Sequence, residues 1–453
     1  MTKRLDLTEG DIFQGLLKMA LPIMGTAFIQ MAYNLTDIFW IGFMGSSAVS
    51  AVGIAGFFIW LSNGVVMLSK TGTEIRVAQE TGQQNHERAE VYARSGLHFI
   101  FILALIYTAV LLIFRVDLVA FFKTQNAMVD KNAIDYLVIV GIGMIFTFSN
   151  QVFTGIFNGR GDSRTPFYAN AVGLVTNMVL DPILIMGLLG APKMEIKGAA
   201  LATVLAQAIV FFIFVYRIRY KHTLFQHFTI FKAVQWDIIG DIGKLAGFPA
   251  VQSAIFTMIS MVIARIIAQY GAEAIAAQKI GSQIESITWM TAMGFSVALG
   301  AFVGQNYGAK KLDRVLKGYR TAIKIAFTLG LANTFILFFG AKPLVMIFIR
   351  EAATIQLGID YLKILALSQL FMCVEITCSG AFNGIGKTKP AAITSVVFNV
   401  LRIPMALVFS QWEWLGLNGV WWSITVSSIL KGLIVYLWMG HTLKKEGIIP
   451  SVE

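Results

Sequence analysis

The sequence predicts an all-α integral membrane protein, with twelve transmembrane helices in two pseudo-symmetric six-helix lobes around a central cavity. Three observations predict this fold: the composition, the length of the apolar runs and an internal repeat. Of the 453 residues, 57% are hydrophobic and only 13% are charged, whereas soluble domains have about 45–50% and about 25%. Most of the chain must therefore face lipid or other apolar helices.

The apolar runs have the length of membrane spans. They recur at about 20 residues, the number that crosses roughly 30 Å of hydrocarbon as a helix. The longest polar connection falls near the middle, so the predicted domains are an amino-terminal lobe at 1–220, a cytoplasmic linker at 221–245 and a carboxyl-terminal lobe at 246–453. The predicted spans lie near 15–43, 50–69, 96–114, 136–157, 166–187, 198–216, 246–268, 275–303, 321–340, 359–382, 390–410 and 418–440.

The basic residues are distributed unequally between the two sides of the predicted membrane domain. Twelve spans put both termini on one side, and the connections on that side carry 22 lysines and arginines, counting Lys70, against seven on the other. Because basic residues are enriched in cytoplasmic loops, both termini are predicted to be cytoplasmic, in the cell (inner) membrane. The net charge of +11 then reflects topology and anionic membrane lipid rather than nucleic acid.

Cysteine and histidine are placed where they predict no catalytic or metal site. Cys373 and Cys378 are five residues apart, so they point to different faces of one predicted helix. No two of the five histidines have the spacing of metal ligands. A membrane-embedded enzyme would need a catalytic or metal constellation within the spans, built on a histidine, a Ser-His pair or metal ligands, and no such constellation is visible in the sequence. We therefore expect neither an enzyme nor a resident cofactor.

The two halves of the chain repeat each other. The pattern Gly-x-Phe-Asn-Gly-x-Gly occurs at Gly155–Gly161 and again at Gly380–Gly386, and Gln-x-x-Gly occurs at Gln79–Gly82 and Gln305–Gly308. Six spans per half is an even number, so both halves enter the membrane in the same direction. Parallel repeats of this kind predict a cavity between two lobes and alternating access, which favours a transporter over a channel.

Several of these segments resemble the multidrug and toxic compound extrusion (MATE) family, in particular its NorM and DinF-like branches. The resemblance covers nearly the whole chain, and it lies in the joint order and spacing of motifs that are weak singly. It implies export of amphipathic, often cationic, compounds in exchange for H⁺ or Na⁺, through a V-shaped fold of two lobes. The segments that carry it are Leu21-Pro22-Ile23, Asn34-Leu35-Thr36-Asp37, Gly155–Gly161 followed by Asp162, Gly380–Gly386, and Asn177-x-x-x-Asp181-Pro182.

The amino-terminal lobe carries polar side chains at one predicted depth. A carboxylate inside a membrane helix is costly unless it faces a cavity, so Asp37 and Asp181 are functional candidates. With Asn177, Tyr136 and Thr203 they suit a proton-sharing network or a Na⁺ site of oxygen ligands. The alternative is that the two aspartates are separate, solvated helix-end residues. The resemblance implies cation coupling at Asp37, Asn177 and Asp181, the positions at which Na⁺ would bind, with Thr203 and Tyr136 as further members.

The carboxyl-terminal lobe departs from the NorM pattern. Where that branch has acidic residues, this sequence has Thr257 and Met372. Three charged residues nevertheless fall within predicted spans: Glu285, Glu375 and Arg402. One interpretation is an internal ion pair, of Arg402 with Glu375 or Glu285, that stabilises the lobe. The other is direct contact with the substrate.

Two transport functions remain open after these observations. The first is a secondary active multidrug exporter, expected to be a monomer with small amphipathic drugs or toxins as its ligands. The second is a flippase for a lipid-linked sugar or another lipid in the same superfamily. A flippase is expected to have more helices and a markedly basic cavity, and the predicted interior offers mainly Arg402.

Overall fold

The computed structural model describes residues 6–122, 126–220, 233–348 and 351–449. Within these ranges the chain is helical, with one short 3₁₀ turn and no strand. The first part of the predicted linker, 221–232, lies outside the described residues. The helices are α1 (Ile12–Gly42), α2 (Ser46–Gly82), α3 (His86–Ile113), α4 (Arg115–Ala120), α5 (Ala127–Gly159), α6 (Arg164–Met186), α7 (Glu195–Tyr220), α8 (Trp236–Ala268), α9 (Ala272–Gly308), α10 (Leu312–Phe339), α11 (Ala341–Met346), α12 (Ala352–Ala366), α13 (Gln369–Gly384), α14 (Thr388–Phe409) and α15 (Leu417–Lys445).

The helix lengths confirm the predicted membrane fold. Eleven of the described helices are long and apolar enough to cross a membrane. Helices α12 and α13 pass the same test only together, as a pair bent by 52° at a short break. Counting that pair as one span gives the predicted twelve. The tenth span, predicted as one continuous run at 359–382, is therefore broken near its middle.

The break between α12 and α13 has a local cause in side chains that bond the backbone. The carbonyl of Leu365 accepts hydrogen bonds from the backbone N–H of Ser368 at 3.0 Å, from its hydroxyl at 2.8 Å and from the Gln369 side-chain amide at 3.2 Å. These donors compete with the regular i→i−4 ladder, which is a common cause of helix kinks. Ser368 and Gln369 therefore turn the chain inside an apolar run.

The chain forms two compact units that do not follow a single cut in the sequence. The described part of unit 1 lies within Gly25–Gly247, and the described part of unit 2 lies within Leu5–Met24 and Phe248–Glu453. The division falls inside α1 and inside α8. The first turns of α1 therefore belong to the unit that contains α9–α15, and the first turns of α8 belong to the unit that contains α2–α7.

In unit 1, α5 packs closely against α2, because Gly155 and Gly159 carry no side chains. A Cβ atom at Gly155 would touch Lys70 and Glu74, and one at Gly159 would overlap the Glu74 carbonyl. The beginning of α8 is bound to the same unit through Asp241, which pairs with Arg76 at 2.7 Å.

Unit 2 uses the same close approach between α9 and α13. A Cβ atom at Gly380 would overlap the backbone and hydroxyl of Ser296, and the next glycine of the motif lies against Gly300. The amino-terminal segment is bound to this unit by Asn306, whose amide donates to the Leu7 carbonyl at 2.9 Å. Arg314 adds three hydrogen bonds to carbonyls of the same segment, at 3.0–3.3 Å.

The internal repeat predicted from the motifs is visible in the helix lengths. Helices α2 and α9 are both 37 residues long, α3 and α10 both 28, and the short α4 and α11 both 6. The repeat is imperfect at one place. Helix α5 is a continuous 33 residues, whereas its counterpart in unit 2 is the bent pair α12 and α13.

Replacing Gly380 by Ala is expected to destabilise the protein by about 1–3 kcal/mol, because the added methyl group must displace the backbone of α9. Gly440 in α15 is the matched control, since a Cβ atom there meets nothing within 4 Å. The Gly440→Ala variant should be neutral or stabilised by about 0.5–1 kcal/mol. Thermal melting of the two purified variants tests this. Equal melting temperatures would show that the α9–α13 contact is not tight.

Candidate functional site

The two predicted acidic residues of unit 1 lie on different helices and meet. Asp37 lies near the end of α1, and Asp181 lies near the end of α6. Their carboxyl groups are close enough for a hydrogen bond between them. Asn177 precedes Asp181 by one helical turn, and its amide donates to Asp181 Oδ1 at 3.2 Å. The three side chains therefore form one cluster.

Helices α5 and α7 begin near this cluster and complete it. Thr203 on α7 approaches Asp37 Oδ2 with its hydroxyl at 3.5 Å and also donates to the Ala199 carbonyl at 3.1 Å. Tyr136 on α5 lies close to the side chain of Thr203. The structure thus brings together all five residues that the sequence singled out in this lobe, and their role in coupling stays a prediction.

Tyr33 is a member of the cluster that the sequence analysis missed. Its hydroxyl donates to the Thr203 backbone carbonyl at 3.3 Å. A signal was available, because Tyr33 precedes Asp37 by four residues and so lies on the same face of α1.

The cluster is partly buried, with Asp37 and Thr203 half-buried, and it has unused oxygen atoms. Asn177 and Asp181 are 0% exposed and Tyr136 is 3% exposed. Asp37 Oδ1, Asn177 Oδ1 and Asp181 Oδ2 are buried without a hydrogen-bond partner. A buried polar atom without a partner is costly, so a proton or a cation would stabilise these oxygens. Such a hard oxygen set fits H⁺ or Na⁺.

A transition-metal site would need a different set of ligands from this oxygen cluster. Among the described residues, no group of three or more histidine, cysteine, aspartate and glutamate side chains could hold a metal ion. The cluster around Asp37 offers Na⁺ two carboxylates and the Asn177 amide oxygen. Further ligands for Na⁺ bound there would come from the neutral oxygens of Thr203 and Tyr136.

The charged residues of unit 2 pair differently from the predicted ion pair. Glu375 pairs with Lys431 at 3.3 Å, and not with Arg402. Arg402 donates instead to the hydroxyls of Ser427 at 2.8 Å and Ser428 at 3.0 Å. The sequence analysis overlooked Lys431, although a lysine within an apolar run is itself a signal.

Glu285 also bonds neutral groups. Its carboxylate accepts from the hydroxyl of Tyr361 at 3.2 Å and from the amide of Gln369 at 3.0 Å. Gln369 is the residue that follows the bend between α12 and α13, so the break in the tenth span positions a ligand of Glu285. An unbroken helix would carry this amide in a different direction.

A second overlooked group lies on α2. Lys70 was counted with the cytoplasmic connections, but it falls well inside α2, which continues to Gly82. Its ammonium donates to Gln151 Oε1 at 2.9 Å. Glu74, one turn further along α2, acts electrostatically on it. Lys70 is therefore an interior charge and is not evidence for the orientation of the termini.

The cluster is expected to respond to substitution as one unit. Asp37→Asn and Asp181→Asn should each remove most of the transport activity, and the double variant should be no worse than either single one, because the two carboxyls share one task. Residues in contact typically show coupling well above the ~0.5 kcal/mol scatter of independent sites. Initial rates of dye efflux, converted to free energies, test this. Losses that simply add, as expected for Asp181→Asn combined with Lys387→Gln at a surface ion pair, would show that the carboxyls act separately.

Comparison with known proteins places this architecture in a family. The MatE family model matches residues 22–183 and 249–408, one stretch in each half. The probable multidrug resistance protein NorM of Thermotoga maritima is 29% identical over 94% of this chain and 92% of its own length. The FAD transporter of Shewanella oneidensis is 23% identical, over 96% of both chains. A crystal structure of MATE in complex with MaD3S has the same fold, with a TM-score of 0.90 at 23% identity, over 98% of this chain and 99% of that one.

Proposed function

Since the chain belongs to the MatE family of membrane transporters, we propose that it is a secondary active exporter of amphipathic, often cationic, drugs and toxins. Export is coupled to entry of a cation at the cluster of Asp37, Asn177, Asp181, Thr203 and Tyr136, and the binding site is exposed alternately to the two sides of the membrane. The multidrug resistance names of the relatives support this function over the lipid-linked sugar flippase.

One observation supports H⁺ over Na⁺ as the coupling ion. The carboxyls of Asp37 and Asp181 are within hydrogen-bonding reach of each other inside a buried site. Two ionised carboxylates at this separation repel, whereas a pair that shares one proton attracts. The resting site in this proposal therefore holds a proton between the two carboxyls. Release of that proton would leave two like charges in contact, which favours a rearrangement of α1 against α6.

Reconstituted transport distinguishes the two ions. Purified protein in liposomes should export ethidium when a proton gradient is imposed at equal Na⁺ concentrations on both sides. A Na⁺ gradient at constant pH should have no effect. Export that follows the Na⁺ gradient instead would assign Na⁺ to the cluster. If neither gradient drives export of any cationic dye, the proposed coupling is wrong.

The proposal also includes a location and an orientation. In this proposal the transporter is a monomer in the cell membrane. The excess of basic residues in the predicted connections supports an orientation with both termini in the cytoplasm. Labelling of single cysteines at positions 85 and 413 in intact cells tests this. A membrane-impermeant reagent should reach position 413, after α14, and should not reach position 85, after α2.

Export of an anionic compound is the second candidate. One relative is named as an FAD transporter, and Arg402 in unit 2 bonds two neutral hydroxyls, so its charge is available to an anion. FAD added to the ethidium assay as a competitor separates the candidates. Strong inhibition by FAD would favour the anion exporter, and its absence favours the exporter of cationic drugs.

A further inference from the structure

Helix α10 of unit 2 has a buried face and an exposed face. The buried face, which packs within the unit, includes Val315, Tyr319, Ala322 and Ala326. The opposite face is exposed along the length of the helix and is formed by Lys317, Arg320, Lys324, Phe327, Leu331 and Phe335. Successive members are three or four residues apart, so the six side chains form one stripe. We call it the α10 stripe, with a basic part followed by an apolar part.

The basic part of the stripe is not neutralised by the protein. Among the described residues, its three basic side chains form no ion pair. Asp313, one turn before Lys317, is the only acidic residue in the sequence of α10. Other basic residues at this end of the unit have partners. Arg314 donates to carbonyls of the amino-terminal segment, and Lys387 pairs with Glu446 at 3.2 Å. The stripe therefore carries positive charge that is available to an external anion.

The apolar part of the stripe begins within one turn of the basic part. Phe327, three residues after Lys324, is 51% exposed, and Phe335 is 54% exposed. These two rings are about 12 Å apart along the helix axis, close to the thickness of one leaflet, which is half of the roughly 30 Å of hydrocarbon. Lysine and arginine stems can lie along apolar surface while their charges reach the headgroups. The stripe thus offers contacts to both ends of one lipid molecule.

The internal repeat provides a comparison. Helix α3 of unit 1 is the counterpart of α10 and has the same length of 28 residues. Aligned from the helix starts, the three basic positions of the stripe are Val91, Arg94 and His98 in α3. Arg94 is only 4% exposed and pairs with Glu90 at 3.9 Å. The apolar part is retained, since Leu105 takes the place of the leucine and is 61% exposed.

This difference between the two units narrows the role of the basic part. Lipid-facing apolar side chains are needed wherever a helix borders the membrane, and both α3 and α10 have them. The three exposed basic residues occur on α10 alone of this pair of helices. A general need to place a helix in the membrane would apply to both, so the basic part indicates a specific ligand of unit 2.

We propose that the α10 stripe binds one molecule of an anionic phospholipid. Its phosphate is held by Lys317, Arg320 and Lys324, and one acyl chain lies along the apolar part of the stripe. The guanidinium group of Arg320 can donate two N–H groups to one phosphate, and the lysines add charge on either side. In the orientation proposed above, the lipid belongs to the cytoplasmic leaflet, where anionic lipids are attracted to basic residues. The site is independent of the exported compound and of the coupling cation.

The lipid selectivity of the purified full-length protein tests this proposal. The protein is equilibrated in micelles with equal amounts of phosphatidylglycerol and phosphatidylcholine that have the same acyl chains, and native mass spectrometry counts the retained lipids. We expect about a tenfold excess of phosphatidylglycerol in the complex with one lipid, because several basic groups act on one phosphate. Phosphatidylglycerol should also raise the melting temperature, and phosphatidylcholine should not. Glycerol 3-phosphate should not displace the lipid, because it lacks the acyl chain.

Neutralising the basic part should remove the preference. The triple variant Lys317→Gln/Arg320→Gln/Lys324→Gln is expected to retain the two lipids within about twofold of each other. Without added lipid it should melt as the parent protein does, because the three side chains are exposed and form no ion pair. An unchanged melting temperature shows that the variant is folded, so the lost preference then reports on the site.

A matched control removes the same charge from the same end of unit 2, outside α10. Lys310, Lys444 and Lys445 are exposed residues that follow α9 or end α15. The triple variant Lys310→Gln/Lys444→Gln/Lys445→Gln should keep the roughly tenfold preference of the parent protein.

Three results would overturn the site. The parent protein could retain the two lipids equally, or both triple variants could lose the preference to the same extent, which would show that only the total charge matters. Displacement of phosphatidylglycerol by glycerol 3-phosphate would mean that the basic part binds free phosphate. Ethidium export by the parent protein is measured separately, so failure of the lipid site is distinguished from failure of the proposed export function.

Discussion

Cells that produce the Asp37→Asn variant are expected to expel ethidium only slightly faster than cells without the transporter. Asparagine keeps the size of the side chain and its contact with Thr203, but it cannot take up or release a proton. The contact between the carboxyls of Asp37 and Asp181, which can share a proton, would become a fixed amide–carboxylate contact. The site would then stay in one state, and the cation gradient could not drive a cycle. Efflux rates normalised to the amount of membrane-inserted protein measure the loss.

Asp117 provides the matched control for this substitution. It is an exposed carboxylate on the short helix α4, away from the cluster. Asp117→Asn makes the same chemical change and should leave efflux unaltered. If Asp37→Asn is well produced and exports at a near-normal rate, the coupling site lies elsewhere, and Glu285 is then the first carboxylate to test.

Lys431→Met is expected to have the largest effect on stability, a loss of about 3–5 kcal/mol in the free energy of unfolding. Removing the ammonium leaves Glu375, which is 5% exposed, as a buried charge without its ion-pair partner. The effect should appear as a large fall in melting temperature and in the yield of folded protein. Methionine is close to lysine in length and apolar, so a packing defect contributes little.

Adding Glu375→Gln to Lys431→Met tests whether the unpaired carboxylate causes the loss of stability. In the double variant Glu375→Gln/Lys431→Met neither charge remains, so most of the lost stability should return, as in other buried pairs replaced by neutral residues. Replacement of the exposed Lys324 by Met on α10 is a control for loss of a lysine as such. A double variant that is no more stable than Lys431→Met would show that the two side chains do not stabilise each other.

The sequence was informative wherever a pattern depends on one helix alone. The lengths of the apolar runs predicted the spans. The glycine motif at Gly155–Gly161 and Gly380–Gly386 predicted a repeat, which the equal lengths of the corresponding helices confirm. The cluster around Asp37 could also be predicted from the sequence, because a carboxylate within an apolar run is costly and therefore indicates a functional position. Position along each helix then sufficed to bring four helices to one level.

What the sequence did not predict depends on contacts between helices. From the sequence, Arg402 could be paired with Glu375 or Glu285 only because all three lie within predicted spans. The observed pair of Glu375 with Lys431 depends on the packing of α13 against α15. The bend at Ser368 was hidden in an apolar run, since it arises from three donors that converge on one carbonyl. Lys70 was misplaced because the apolar part of α2 ends well before the helix does.

The exchange of chain segments between the two units has a consequence for the order of assembly during synthesis. The Leu7 carbonyl bonds an amide that lies 299 residues later in the chain. At about 5–20 residues per second, Leu7 waits about 15–60 s for that partner. Asp241, by contrast, meets Arg76 after only 165 residues. Unit 2 is thus completed by a segment that is synthesised before unit 1, so deletion of the segment around Leu7 should impair maturation of α9 and α10 rather than of its nearest neighbours in sequence.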